Sequence, residues 1–292
     1  MTAPLLEVRD LVVEYLLDTG SFVAVDHVSF DIGRGEIFGL AGESGCGKST
    51  IAYAITQLPR PPAWVRQGEI RFDGADLLRL DEAALQRLRW RRIGMVFQSA
   101  MNSLNPLLRI ERQFFDVLHR HTGCSRAEGR AKAEAMLRLV GIDPKRVGDY
   151  PHQFSGGMRQ RLVIAICLAL EPDLIIMDEP TTALDVVVQR EILQQICELQ
   201  ERLGFSVLFI THDLHLMSQF CDRIAVMLGG RIVEQGPVDQ ITRAPQHDYT
   251  RKLWEAIPRL PTVAGAGAAV ADAPEDITAE APADAVRERM PS

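Results

Sequence analysis

The feature that most constrains this chain is a glycine-rich loop between a short apolar strand and a helix. Gly42-Glu43-Ser44-Gly45-Cys46-Gly47-Lys48-Ser49 follows the apolar run at 36–40 and precedes a helical stretch at 48–57. The spacing is GxxxxGK[ST]. Its glycines let the backbone curl so that successive N–H groups face phosphate oxygens, and the helix start adds positive potential. Lys48 is then expected to reach the β- and γ-phosphates of a nucleotide, and Ser49 to offer its hydroxyl to Mg²⁺. Cys46 sits at a variable position of the loop and needs no chemical task. The loop specifies a nucleotide but no reaction. The NKxD motif by which guanine is read is missing, and small-metabolite kinases carry the same loop, so a second signal is required.

The surrounding pattern supplies a frame for that loop. Short strands are predicted at 6–8, 11–15, 28–32 and 68–72, punctuated by Asp10, Gly20, Gly33, Gly35 and Asp73-Gly74. Segments 81–91, 107–121 and 125–140 carry Leu, Ala, Arg and Glu at helical spacing. A helix is expected from Ser155-Gly156-Gly157 to about Leu170, with buried strands at 174–177 and 206–210 flanking an amphipathic helix at 186–203. A hairpin follows around Gly229-Gly230. This alternation predicts a three-layer α/β domain with a mainly parallel sheet, interrupted by a helical insert. The cluster Arg87, Arg89, Arg91 and Arg92 reads as a solvated helix face leading into a strand at Ile93.

The second signal is an apolar strand ending in two acids, Leu174-Ile175-Ile176-Met177-Asp178-Glu179. A buried strand tolerates carboxylates at its end when something compensates their charge. A metal and a reacting water would do so, with Asp178 supporting the metal and Glu179 polarising the water. Between loop and acids stands Phe154-Ser155-Gly156-Gly157-Met158-Arg159-Gln160-Arg161, a serine and two glycines opening another helix, hence a second anion-binding start.

That segment resembles the LSGGQ signature of ABC ATPases, in the FSGGMRQR form of peptide and nickel importers. The resemblance covers about residues 5–255. It implies a P-loop NTPase three-layer domain with an ABC-type N-terminal antiparallel β subdomain and a helical subdomain insert. The nucleotide-binding domain is expected over 5–260, with the helical subdomain at about 99–170. It also implies roles for individual residues. Gln98, closing the strand at 93–97, is similar to the Q-loop glutamine that touches Mg²⁺ and senses a membrane partner. Thr182-Ala183-Leu184-Asp185 resembles the D-loop, with Asp185 near the dimer partner. His212 in Thr211-His212-Asp213 resembles the switch histidine at the γ-phosphate, and Tyr15 the aromatic that stacks on adenine. The implied catalytic set is Glu179, His212, Lys48 and Gln98. The nucleotide contacts are Tyr15, Gly42, Glu43, Ser44, Gly45, Cys46, Gly47, Lys48, Ser49, Thr50, Gln98 and Asp178. On the facing subunit they are Ser155, Gly156, Gly157, Met158 and Asp185. Mg²⁺ would be held by Ser49, Gln98 and Asp178, so the cofactors are ATP and Mg²⁺.

Other segments are similar to the peptide/nickel branch: Met101-Asn102-Ser103-Leu104-Asn105-Pro106 after Gln98, Tyr150-Pro151-His152-Gln153, and Pro245-Gln246-His247-Asp248-Tyr249-Thr250, where Asp248 replaces the usual proline. The resemblance implies the ATP-hydrolysing motor of an importer for di- or oligopeptides or nickel chelates. Its partners would be two transmembrane permease subunits, a second ABC ATPase (a paralogue or itself) and, indirectly, an extracytoplasmic solute-binding protein. The alternatives are a soluble ABC ATPase of translation or DNA repair, a small-molecule kinase and an exporter. Net charge −7 argues against general nucleic-acid affinity. No stretch approaches the roughly 20 apolar residues of a spanning helix. The N-terminus lacks a basic start followed by an apolar stretch, and the five cysteines form no CxxC pair. The expected location is the cytoplasmic face of the inner membrane, held there by partners. With Cys221 the last cysteine, no iron–sulfur cluster is expected. Residues 261–292, rich in Ala, Pro, Gly and acids, are expected to form a disordered tail.

Overall fold

A six-stranded sheet carries the loop and the strand end that bears both acids. The computed structural model describes residues 3–18, 20–58, 62–98, 103–181 and 184–255. In the sheet's interior lie β3 (Ile37–Gly42), β7 (Leu174–Asp178) and β8 (Ser206–Thr211), with β6 (Ile93–Val96) at one edge, and the residues of all four are buried. With β9 (Arg223–Leu228) and β10 (Arg231–Pro237) the order is β10-β9-β3-β8-β7-β6, parallel except for β10 at the edge. Burial on both faces explains why these strands read as unbroken apolar runs.

The two faces feed two cores, following the period of two along a strand. Ile37, Ala41, Ile175, Met177, Val207 and Phe209 point into one core, and Phe38, Leu40, Leu174, Ile176, Leu208 and Ile210 into the other. The first core is shared by α3 (Ile110–Thr122), α4 (Arg126–Leu139), α5 (Gly156–Leu168) and α6 (Val186–Leu203), through side chains such as Phe114, Leu137, Ala165 and Ile192. The second receives α1 (Lys48–Ile55) and a four-stranded antiparallel sheet. That sheet runs β2 (Gly20–Ile32), β1 (Leu6–Leu17), β4 (Ala63–Phe72), β5 (Ala75–Asp76). This is the predicted three-layer arrangement with an antiparallel β layer and a helical portion between β6 and β7.

Several elements are longer or shorter than their patterns suggest. The strands expected at 6–8 and 11–15 are one strand, β1, whose register slips around Asp10, a non-glycine residue at φ +49°. The strand expected at 68–72 begins at Ala63, because Ala63, Trp64 and Val65 pair with Tyr15, Glu14 and Val13. The helix expected to reach 91 is α2 (Glu82–Leu88), so of the four arginines only Arg87 lies on it. Arg89 instead donates to the carbonyls of Thr56 and Gln57 at 2.9 and 2.7 Å, and Arg92 bridges Asp73 and Asp173 at 2.9 and 2.6 Å. Three short helices are not among those expected from the sequence: α7 (Leu214–Met217), α8 (Val238–Arg243) and α9 (Asp248–Glu255). Among the described residues no helix is long and apolar enough to cross a membrane. Met101, Asn102, Thr182 and Ala183 lie outside the described residues, as do the start of the insert at 99–100 and the segment 261–292.

Candidate active site

In an open parallel sheet the carboxyl ends of the strands are the natural place for a ligand. Here those ends deliver the loop from β3, Gln98 beyond β6, Asp178 and Glu179 from β7, and His212 after β8. A cavity of about 290 Å³ opens among them, lined by Tyr15, Phe22, Ala24, Ser44, Gly45, Gly47, Lys48, Ser49, Thr50, Gln98 and Glu179. A roomier cleft of about 610 Å³ lies by Glu82, Arg87, Arg91 and Arg120. No glycine loop or catalytic acid faces it, so convergence of chemistry rather than volume marks the site.

The loop is shaped by backbone conformations that need glycine. Gly47 caps α1 at φ +105°, and a Cβ there would stand 2.4 Å from the carbonyl oxygen of Ala24. Lys48 follows at 5% exposure, and its ammonium donates to the carbonyl oxygens of Gly42 and Glu43 at 2.7 and 2.8 Å. Those carbonyls compensate a cation that burial would otherwise penalise heavily. Gly42 and Cys46, both buried, and the exposed Glu43 do not line the cavity.

The acids sit directly opposite. The Ser49 hydroxyl donates to Asp178 Oδ1 at 3.0 Å. Burial pushes the Asp178 carboxyl above its ordinary value, Ser49 opposes that, and the charge of Glu179 adds to it. Glu179 takes φ +46°, a left-handed conformation that costs a non-glycine residue and persists where the surroundings over-determine it. Its N–H is held by the carbonyl of Ile210 at 2.9 Å. Gln98 Nε2 donates to Glu179 Oε2 at 3.0 Å, and His212 Nδ1 lies 3.3 Å from Glu179 Oε1. One carboxylate thereby joins three of the expected catalytic residues.

The donor set suits Mg²⁺. A hydroxyl, a carboxylate and an amide carbonyl are hard oxygen ligands, and a buried carboxylate beside a second acid is what a divalent cation would neutralise. So few protein oxygens fit an ion that keeps several waters and substrate oxygens.

Tyr15 flanks the cavity, with its hydroxyl 3.2 Å from Thr50 Oγ1. Phe22, its direct cross-strand partner, carries no sequence motif of its own, although the pairing puts both aromatics on one face. The signature residues are elsewhere. Ser155 caps α5 by accepting from Met158 N at 3.3 Å, is exposed, and with Gly156, Gly157 and Met158 takes no part in the lining. Asp185 caps α6, accepting from Val187 N and Val188 N at 3.1 and 3.0 Å, and is likewise outside it.

Comparison with known proteins supplies the family. A family model described as ABC transporter matches residues 25–182, more than half of the chain. The oligopeptide transport ATP-binding protein OppD of Bacillus subtilis (strain 168) is 44% identical over 281 residues, covering 94% of this chain and 78% of that protein. The peptidoglycan transport ATP-binding protein YejF of Agrobacterium fabrum is 51% identical over 261 residues, covering 88% of this chain and 48% of the relative, so the chain spans about half of that protein's length. Among solved structures, a dimeric post-hydrolysis state of the ATP-binding cassette MJ0796 bound to ADP and Pi superposes with a TM-score of 0.70 at 30% identity. It covers 80% of this chain and 98% of that one. Because the family match runs from just before the loop through the acid pair, taking in Gln98 and the signature, the chain belongs to the ABC transporter family as one of its ATP-hydrolysing cassettes.

Proposed function

We propose that this chain is the motor of a peptide importer, coupling ATP binding and hydrolysis to uptake through two permease subunits at the cytoplasmic face of the membrane. The observation that carries the catalytic part is the Glu179 carboxylate, held between Gln98 and His212 at the mouth of the Lys48 cavity. The peptide part rests on likeness to OppD and to the dipeptide transport ATP-binding protein DppD of Bacillus subtilis, 46% identical over 258 residues. In this reading residues 5–260 are the nucleotide-binding domain, and about 99–170 the helical subdomain that meets the permeases.

The chemistry follows from where charge develops. The loop N–H groups and the Lys48 ammonium hold the β- and γ-phosphates of ATP, and Tyr15 packs on the base. Glu179 orients a water for in-line attack on the γ-phosphorus and accepts its proton as the bond to the departing ADP oxygen breaks. His212 stabilises the charge that spreads over the γ-oxygens. Ser49, Gln98 and Asp178 would hold Mg²⁺, which would supply positive charge to offset that of the phosphates. Ser155, Gly156 and Gly157 open a helix away from their own chain's cavity, so they serve the ATP of a facing ATPase, a second copy or a paralogue. ATP, gripped from both sides, favours the closed pair, and that differential affinity is the energy source for moving the permeases.

Uptake of a labelled dipeptide into vesicles carrying the assembled transporter tests the reading. The wild-type chain supports ATP-dependent uptake and Lys48→Ala does not. Uptake unaffected by Lys48→Ala, or ATP turnover coupled only to a non-peptide solute, would overturn it.

A further inference from the structure

The segment Pro245-Gln246-His247-Asp248-Tyr249-Thr250 plays no part in the chemistry above, yet it ends against the phosphate loop. The carboxylate of Glu234, on β10, accepts the N–H groups of Gln246 and His247 at 2.7 and 3.0 Å and so fixes the start of α9. Tyr249, Leu253 and Trp254 pack on the main core, and Trp254 Nε1 ties the helix to the carbonyl of Ile241 at 2.9 Å. From this anchored helix the Tyr249 hydroxyl reaches 206 residues back along the chain and accepts the N–H of Glu43 at 3.3 Å.

That N–H belongs to the Gly42–Glu43 peptide, whose carbonyl oxygen accepts from Lys48 Nζ at 2.7 Å. A single peptide unit is therefore held at both ends, by a phenol on its N–H and by the loop's lysine on its C=O. Hydrogen bonds through one amide reinforce each other. Gly42 cannot be braced by a side chain of its own, since a Cβ there would stand 2.5 Å from the carbonyl oxygen of Met227. The brace has to come from outside the loop. The same helix packs against α7, which directly follows the strand end bearing His212.

We propose that Tyr249 is a positioning residue for ATP: its hydroxyl fixes the Gly42–Glu43 peptide, and through it the loop and Lys48, so that α9 helps set nucleotide affinity. The inference rests on the ATPase reading of the loop. It acts on binding rather than on the chemical step, because the Tyr249 hydroxyl bonds the backbone of the loop that is proposed to hold the phosphates.

The test compares the full-length wild type with Tyr249→Phe, which deletes only the hydroxyl, and Tyr249→Leu, which deletes the ring. Binding of Mg-ATP to each chain is read together with KM and kcat in the assembled transporter. Tyr249→Phe is expected to raise Kd and KM about two- to fivefold, a modest effect because the bond is long, while kcat and the melting temperature without nucleotide hold. Wild-type affinity in Tyr249→Phe overturns the proposal, whatever Tyr249→Leu does, since the contact would then be packing alone. A fall in kcat with KM unchanged overturns it as well. A wild-type chain that binds no ATP would instead refute the ATPase reading, and this inference with it.

Discussion

His212 Nδ1 stands 3.3 Å from Glu179 Oε1, joining the ends of two neighbouring parallel strands beside the cavity that Lys48 and Glu179 line. The other oxygen of the same carboxylate accepts from Gln98. Glu179 is thereby fixed from both sides in a backbone conformation that is itself strained. A carboxylate held this way beside the Lys48 cavity supports the general-base role proposed for Glu179.

Removing its basicity while keeping its shape gives the first prediction. Glu179→Gln retains ATP binding, and turnover in the assembled transporter falls about 10²- to 10⁴-fold, the usual worth of a positioned acid–base group. Steady-state phosphate release checks this. Turnover near wild type would place the base elsewhere.

The loop's dependence on glycine gives the second. Gly47→Ala would need φ +105° for a residue with a Cβ, and that Cβ would collide with the carbonyl of Ala24 at 2.4 Å. The cost is about 1–3 kcal/mol of strain or a displaced α1 start. Calorimetry should show a lower melting temperature together with lost ATP binding. A variant as stable as wild type and still binding ATP would mean that the loop tolerates another path.

Much of the architecture is legible in the amino-acid sequence, for identifiable reasons. β7 and β8 are buried on both faces, so their apolar runs and the acids or polar residues that end them stand out. α6 matches its expected bounds at 186–203, because Asp185 caps it and Gly204 ends it at φ +74°. The full length of β1 is hidden because the register slip at Asp10 breaks its alternation. The early residues of β4 are hidden because they become strand only by pairing with Val13, Glu14 and Tyr15. Likewise Arg89 and Arg92 look like solvent-facing charges until the carbonyls of Thr56 and Gln57 and the carboxylates of Asp73 and Asp173 come to them from distant segments. Phe22 needs the hairpin register, and the contact between Tyr249 and Glu43 spans 206 positions that no local pattern connects.

The third prediction concerns acid. The hydrogen bond from Arg92 holds the Asp73 carboxyl below its ordinary value of 3.8, helped by the charge of Arg34 and opposed by partial desolvation. A lowered folded-state pKa adds stability that is present above the ordinary value and is lost as pH falls through the lowered one. The stability difference between wild type and Asp73→Asn should therefore be largest near neutrality and close in acid. Urea midpoints across pH check the sign. A difference that widens in acid would contradict the ion cluster.

The fourth prediction separates the two walls of the proposed ATP site. Ser155 is exposed, caps α5 and does not line its own chain's cavity, whereas Lys48 and Ser49 do. The direct measurement pairs the ATP affinity of the single Ser155→Arg chain with its turnover in the assembled transporter. Unchanged affinity with turnover abolished is the predicted result, since the arginine obstructs only the nucleotide held by the facing ATPase. Undiminished turnover, or an affinity lost in the lone chain, would contradict a site shared between two subunits.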